Sequence, residues 1–411
     1  PNLPKNNEQF RKSGNPITPP YRYHQRLAEG HRRALEESGL DEVYPDFEEF
    51  CLDQQKIHGR ANKQMIEAVR CNPRVAGYCI HALVAGDWIM GAGLLDMFRN
   101  PKTYAYEGTK KANQPRILAI RVKPRNVYAR QGAKLEVTGV NERKAVKGKL
   151  RIKIISETGK TAFNRVIDCT LERGITQLLS KKADTRSFEG TYKAKAQFVT
   201  SEGDTVAENE YDFDVFPEEW LAVPETRIAI VEKWNALTPF LEKSNIDFVD
   251  FHPGLDKSVP VFVSHTIAKT KERRQVFEQL EKFIRDGGTV VYLQGGGPFS
   301  HWAKRTPASQ LLPTDVDIKT ATGLWWCVSH IVTDHPVFDG LPVDCMMGPI
   351  YENVWPRKTL LGVEAKPIAG SISFDFYPDF DKSKRHYYGP GDTWWGTDVA
   401  DVRVGEGHCI L

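Results

Sequence analysis

A short, almost wholly apolar run set between two helix-like segments constrains this chain more than any other feature. Residues 76–83 read AGYCIHAL. That is the composition of a strand buried on both faces of a parallel sheet, and such a strand needs neighbours on both sides. One ionisable side chain, His81, interrupts it. A polar loop follows and places Asp87 and Trp88 at the carboxyl end of the strand, the end at which β/α barrels gather their chemistry. Pro101 and Lys102 then suit the first turn of a new helix, where a missing N–H costs little.

The preceding residues read as helices. Residues 1–20 are polar and rich in Pro and Asn, which predicts a loop. Residues 21–38 carry Leu27, Ala28, Ala34 and Leu35 on one face, and Gly39 is placed to end that helix. Residues 46–70 form a stronger pattern, with Phe47, Phe50, Cys51, Gln54, Ile57, Ala61, Met65 and Ala68 at intervals of three and four. Asp46, with Glu49 three residues on, suits its N-terminus. Asn72-Pro73 breaks the helix before the apolar run. Helix, strand, helix is not a closed fold, so residues 1–112 are expected to complete a barrel whose other strands lie upstream of residue 1.

From Arg116 the texture changes to short alternating runs: ILAIRV, KLEVTGV, GKLRIKIIS, NRVIDCTL, GTYKAKAQFV and NEYDFDVF. Tyr192, Ala194, Ala196 and Phe198 alternate strictly, as do Tyr211, Phe213 and Val215. Six or seven strands between residues 113 and 217 predict an immunoglobulin-like β-sandwich. Residues 225–411 then alternate strands (RIAIVE, IDFVDFHP, VPVFVSH, GTVVYLQGGG) with a helix over 271–286. That is the pattern of a flavodoxin-like, doubly wound α/β domain. The expected fold class is therefore multidomain α/β plus all-β.

The ordered pieces Asn72-Pro73, Ala76-Gly77-Tyr78, Gly93-Leu94-Leu95-Asp96 and Arg99-Asn100-Pro101-Lys102 resemble the last strand and last helix of the (β/α)8 barrel in glycoside hydrolase family 2, the β-galactosidase and β-glucuronidase family. The resemblance implies a hydrolase acting on an oligosaccharide or polysaccharide by a retaining mechanism, with two Glu carboxylates about 5 Å apart. In the family both precede the last strand, so no catalytic residue is named in this chain. Glu8 lies in a polar segment, and Glu36-Glu37 and Glu48-Glu49 read as helix-surface pairs. His81 falls where relatives often carry a Trp beneath the sugar. An imidazole there offers a flat surface and a donor, or it is a satisfied core residue. Asp87 and Trp88 are candidates to accept from sugar hydroxyls and to stack on a pyranose, or they belong to an ordinary exposed loop. Arg99 and Lys102 read as solvated or acid-paired cations. The family's glucuronidases bind the substrate carboxylate with an Asn-x-Lys where this chain has Ile89-Met90-Gly91-Ala92, which argues against that activity.

Phe283-Ile284-Arg285-Asp286-Gly287-Gly288, His335-Pro336-Val337-Phe338 and Gly340-Leu341-Pro342 resemble the glutamine-amidotransferase-like domain of some sugar-active enzymes, including the trimerisation domain of certain β-galactosidases. That implies a homo-oligomer contact through residues 225–411. No Cys lies near the strands at 259–265 or 288–297, and Cys327 and Cys345 lie outside any Gly-x-Cys-x-Gly turn. His265, His301, His330 and His335 thus have no matching nucleophile, and this domain is read as non-catalytic and truncated. Gly295-Gly296-Gly297 lacks the GKS ending and spacing of a phosphate loop.

Composition bounds the rest. The 411 residues suit two to four domains, and 40% apolar with 10% aromatic residues allows packed cores. A formal charge of +3 gives no case for nucleic acid or an anionic membrane. No segment approaches the ~18–20 apolar residues of a membrane helix. Seven scattered cysteines show no metal-ligand spacing and read as buried, reduced side chains. Neither metal nor cofactor is expected, and the compartment is left open, because any localisation signal would lie upstream. The alternative from another class is a non-catalytic carbohydrate-binding or scaffold protein on a barrel that has lost its acids. A stand-alone amidotransferase-like enzyme would need the missing thiol.

Overall fold

The computed structural model describes residues 3–14, 19–80, 82–84, 93–223, 225–232, 235–264, 271–293, 306–307, 317–320, 328–351, 354–374 and 392–411. It is a mixed α/β and β-rich chain with several sheets. Contacts group residues 2–54 with 223–411, and 55–222 by themselves.

Four helices open the chain: α1 (Leu3–Lys12), α2 (Pro19–Ser38), α3 (Phe47–Arg70) and α4 (Thr103–Ala112). The expected loop over residues 1–20 is corrected by α1. Its apolar signal is only Leu3 and Phe10, buried with Asn6 at helical spacing, and the polar residues between them mask it. Phe10 meets Tyr21 edge-on, which joins α1 to α2. Gly39, at φ 72°, ends α2 in the left-handed region that glycine adopts freely. Asp46 caps α3 by accepting from the Glu48 N–H at 2.8 Å.

The buried face of α3 begins as expected, with Phe47, Phe50 and Cys51, but continues through Gln55, Gly59 and Ile66. Ala61 and Met65 are exposed. The reason is a close crossing of α3 and α4. A Cβ on Gly59 would lie 2.2 Å from the Tyr104 carbonyl oxygen, and one on Gly108 would lie 2.3 Å from the Gly59 carbonyl oxygen. Gly108→Ala is therefore expected to destabilise residues 55–222 by about 1–3 kcal/mol through overpacking. Alanine's better helix propensity offsets at most ~1 kcal/mol of this. A urea midpoint equal to that of the parent chain would contradict the crossing.

Of the expected strand at 76–83, the described residues 76–80 and 82–83 are not in a strand. Residues 72–79 are exposed and lie outside any strand, and only Val84 makes an isolated parallel bridge, to Leu95. An apolar strand needs a ladder on each side, and no described segment offers one. Pro101 is also not in the helix. It bridges Leu95, and α4 starts at Thr103.

The sandwich is present. Strands β1 (Arg116–Lys123), β2 (Asn126–Tyr128), β3 (Ala133–Asn141), β4 (Val146–Ser156), β5 (Thr161–Leu171), β6 (Gly174–Ala183), β7 (Gly190–Thr200) and β8 (Thr205–Phe216) form two sheets, ordered β1-β3-β6 and β2-β8-β7-β4-β5. Leu118, Ile120, Leu135, Leu150, Ile152, Phe198 and Phe213 close one core. Alternation is the cause: Leu150, Ile152 and Ile154 point in, while Lys149, Arg151 and Lys153 point out. Phe188, Tyr192 and Phe213 stack in series, and the Tyr192 hydroxyl accepts from the Glu189 N–H at 3.2 Å, pinning the entry to β7. Strands β2 and β6 go unmarked by the alternation argument, since β2 is three residues long and β6 is mostly polar and half-exposed.

In the other group, β9 (Ile228–Val231), α5 (Thr238–Lys243), β10 (Phe248–Asp250), β11 (Val261–Val263), α6 (Lys271–Arg285) and β12 (Thr289–Tyr292) begin an alternating α/β sheet. Phe277, Leu280, Phe283 and Ile284 bury one face of α6 against it. Gly288 follows at once because a Cβ there would sit 2.1 Å from the Phe283 ring.

Between β12 and the end of this sheet lies a second sheet that the sequence reading does not anticipate. Its strands are β13 (Thr306–Pro307), β14 (Asp317–Thr320), β15 (Ser329–Val332), β16 (Cys345–Met346), β17 (Lys358–Leu361), β18 (Ala369–Phe374) and β19 (Thr393–Val399), all paired antiparallel in the order β13-β14-β17-β19-β18-β15-β16. Helix α2 packs on β18 and β19. Tyr44 joins the helical layer to β16, donating to Asp53 at 2.8 Å and accepting from the Met346 N–H at 2.9 Å. Strands β20 (Asp401–Val404) and β21 (Gly407–Ile410) then complete the first sheet, ordered β10-β9-β11-β12-β21-β20. All its pairs are parallel except β20 with β21.

Candidate functional site

The loop expected to carry sugar contacts is framed by a tightly bonded turn. The Leu94 N–H donates to the Leu83 carbonyl at 3.0 Å, and the Leu95 N–H to the same oxygen at 2.9 Å. These bonds tie residues 82–84 to residues 93–95, on either side of the segment that contains Asp87 and Trp88. His81, Asp87 and Trp88 themselves lie outside the described residues.

Asp96 organises the turn that follows. Its carboxylate is fully buried. Oδ1 accepts from the Phe98 and Asn100 N–H groups, each at 2.9 Å, and Oδ2 accepts from the Asn100 side-chain amide at 3.1 Å. The Asp96 N–H donates back to the Asn100 carbonyl at 2.8 Å. This closed set holds Arg99 at φ 66°, a left-handed conformation that a non-glycine residue keeps only when its neighbours fix it. Arg99 is exposed, in keeping with a solvated cation, whereas Lys102 is 2% exposed. Burial holds the His58 imidazole down at about 4, and the nearby Lys102 ammonium pushes the same way. The stability gained by keeping that ring neutral is present above about pH 6.5 and is lost as pH falls toward 4.

A second constellation was not legible in the sequence. His330 on β15, Ser371 on β18 and Asp398 on β19 meet inside the seven-stranded sheet. The His330 Nδ1 lies 2.9 Å from the Asp398 Oδ2 and 2.8 Å from the Ser371 Oγ. The Ser371 hydroxyl donates to Asp398 at 2.6 Å. The side chains of His330 and Asp398 are 6% and 0% exposed. The residue types are those of a hydrolytic triad, but the geometry is not. A relay needs the serine on one ring nitrogen and the carboxylate on the other. Here both sit at Nδ1, and the serine proton points to the carboxylate. The cluster ties three adjacent strands together. Partners 41 and 68 residues apart carry no local motif by which the sequence would disclose them.

Among the described residues no group of three or more His, Cys, Asp and Glu side chains could hold a metal ion. Gly295-Gly296-Gly297, His265, His301 and Cys327 lie outside the described residues. No described helix is long and apolar enough to cross a membrane.

No protein-family profile matches the chain, and no curated protein matches it. Among solved structures it is similar to the exo-chitosanase of Amycolatopsis orientalis in complex with PNP-β-D-glucosamine, at 22% identity over 39% of this chain and 19% of that one, with a TM-score of 0.30. It is also similar to a β-D-mannosidase from Dictyoglomus thermophilum, at 24% identity over 43% of this chain and 21% of that one, with a TM-score of 0.31. A β-glucuronidase from glycoside hydrolase family 2 matches at 10% identity over 25% of this chain and 13% of that one, with a TM-score of 0.21. The chain spans about one-fifth of the length of the first two.

Proposed function

We propose that this chain is part of a glycoside hydrolase of the family 2 kind. The whole protein would hydrolyse β-glycosidic bonds in an oligosaccharide or polysaccharide, with its two catalytic Glu residues upstream of residue 1. The observation that carries the reading is the ordered pattern from Asn72 to Lys102. The bonded frame supports it, since the Leu83 carbonyl and the Asp96 carboxylate hold residues 82–84 and 93–100 on either side of the loop bearing Asp87 and Trp88. In this reading residues 1–112 contribute one wall of the sugar site, with His81, Asp87 and Trp88 facing substrate. The sandwich would be a structural module. The α/β part, whose parallel strands run in the flavodoxin-like order 2-1-3-4-5, would be a non-catalytic amidotransferase-like domain that brings copies together.

The chemistry sets the test. A retaining mechanism needs a nucleophilic carboxylate and a general acid/base, and this chain is assigned neither. The 411-residue chain alone is expected to release no product from aryl β-glycosides, and turnover above a mock preparation would overturn the domain reading. In the longer protein, Trp88→Ala is expected to lower kcat/KM about 5- to 150-fold, the loss of roughly 1–3 kcal/mol of sugar contact in the transition state. His81→Ala should cost a similar amount without lowering Tm, and Asp87→Asn should cost less, because an amide still accepts from a hydroxyl. Unchanged kinetics in all three variants would remove the site.

A further inference from the structure

Within residues 55–222 a groove of about 1280 Å³ runs between helices α3 and α4 and the outer face of the five-stranded sheet. Its lining is mostly positive, with ten Lys and Arg side chains against four Asp and Glu. Lys111, Arg116, Arg143, Arg151, Lys153 and Lys195 all line it. Each of its carboxylates has another partner. Asp212 takes Arg60, and Glu107 pairs with Lys110 at 3.7 Å. Glu210 lies 3.6 Å from Lys193, and Glu208 accepts from Gln197 at 3.0 Å. Among the described residues Arg116 donates to neutral oxygens, of Asn141 and Lys144. Among the described residues none of these six cations has a carboxylate within 4.0 Å.

Two of these cations also face each other directly, while Lys195 has Glu210 as its register partner on the other side. Lys153 and Lys195 are direct cross-strand partners on β4 and β7, and both are exposed. Like charges so placed, with Cβ atoms about 5 Å apart, destabilise a sheet. Arg151 lies two residues along the same face, about 7 Å away. A ladder of cations at such intervals suits anions repeated along a chain better than one small ion. The guanidinium of Arg151 adds the paired donors that match carboxylate or sulfate oxygens.

We propose that this groove binds a linear anionic saccharide, whose carboxylate or sulfate groups lie on the Arg151, Lys153 and Lys195 face. The polymer class rests on the glycosidase reading, while the anion site rests on the cations alone. None of its lining residues belongs to the segment that bears Asp87 and Trp88, and it requires no catalytic step. A polymer held there would be retained near the enzyme through charge, and its binding would weaken as salt rises.

The test is calorimetric titration of the 411-residue chain at low salt with four probes: an octamer of galacturonate, a heparin-derived octasaccharide, neutral maltooctaose and a short single-stranded DNA. Binding of either acidic octamer without binding of maltooctaose is expected, and which of the two binds tighter distinguishes carboxylate from sulfate. Lys195→Glu should weaken that binding about tenfold or more. It exchanges the Lys–Lys pair with Lys153 for a Lys–Glu pair and the Lys–Glu pair with Glu210 for a Glu–Glu pair, so Tm should change little. Arg143→Gln, on the exposed turn after β3, should also weaken binding with no change in Tm, and Lys160→Glu, on the turn between β4 and β5, should leave it unchanged. Equal binding of maltooctaose, tighter binding of the DNA than of both acidic octamers, no binding of any probe, or equal losses in Lys195→Glu and Lys160→Glu would overturn the proposal. Hydrolysis is not read, so a longer protein without glycosidase activity would leave this result standing, and a groove that binds no anion would leave the glycosidase reading untouched.

Discussion

Asp398→Ala is expected to remove about 2–5 kcal/mol of stability, because two buried groups lose their shared hydrogen-bond partner at about 1–3 kcal/mol each. Asp398 serves two partners at once, the His330 ring at 2.9 Å and the Ser371 hydroxyl at 2.6 Å. Truncation leaves the ring nitrogen without its carboxylate partner and the hydroxyl without its acceptor, both beyond the reach of water. Asp398→Asn keeps an oxygen for the serine and should lose distinctly less. Urea denaturation followed by tryptophan fluorescence provides the measurement, since Trp355 lies against His330 with ring centroids 6.2 Å apart. Equal midpoints for the Ala variant and the parent would show that the cluster contributes nothing to holding β15, β18 and β19 together.

Asp96→Ala should cost about 2–5 kcal/mol, felt locally. Two backbone N–H groups, of Phe98 and Asn100, lose their acceptor, at about 1–3 kcal/mol each when no water replaces it. Arg99 at positive φ then loses the carboxylate part of the set that holds it, while the backbone bonds between Asp96, Arg99 and Asn100 are left. Hydrogen exchange reads this directly: the Phe98 and Asn100 amides should exchange far faster in the variant, while amides of β7 and β8 keep their protection. Retained protection at Phe98 and Asn100 would mean that the turn is fixed by other contacts. Asp96→Asn offers a test of charge against geometry, because an amide oxygen still accepts both N–H groups but its NH₂ confronts that of Asn100.

The two kinds of layer differed in how plainly the sequence disclosed them. The sandwich was legible because alternation is a local signal: Leu150, Ile152 and Ile154 face in and the lysines and arginine between them face out. Helix α6 was legible for the same reason at a different period. Strand β6 was not, since half-exposed polar residues flanking a shared sheet face carry no contrast. The seven-stranded sheet was missed because its strands are short and distant in sequence. Residues 76–83 show the reverse error. Their apolar content reads as a strand, but a strand exists only where a neighbour pairs with it, and composition cannot supply the neighbour. In the candidate site, Asp96 was legible as a motif residue, while its role as the acceptor that organises a turn needed three-dimensional proximity. The Ser371–His330–Asp398 cluster had no local trace at all.

Strand β12 ends at Tyr292, and its parallel partner β21 begins at Gly407. More than a hundred residues, including the whole antiparallel sheet, are therefore synthesised between two neighbours of one ladder. At ribosomal speeds of about 5–20 residues per second, the flank of β12 stands open for seconds before its mate emerges. An open parallel flank at Val290 and Val291 is an adhesive surface for other nascent chains. The intervening sheet, paired antiparallel between near neighbours in part, is free to form first and to stand beside that flank while it waits. Yield of this protein should thus depend more on how fast translation crosses residues 293–406 than on the final stability of either sheet.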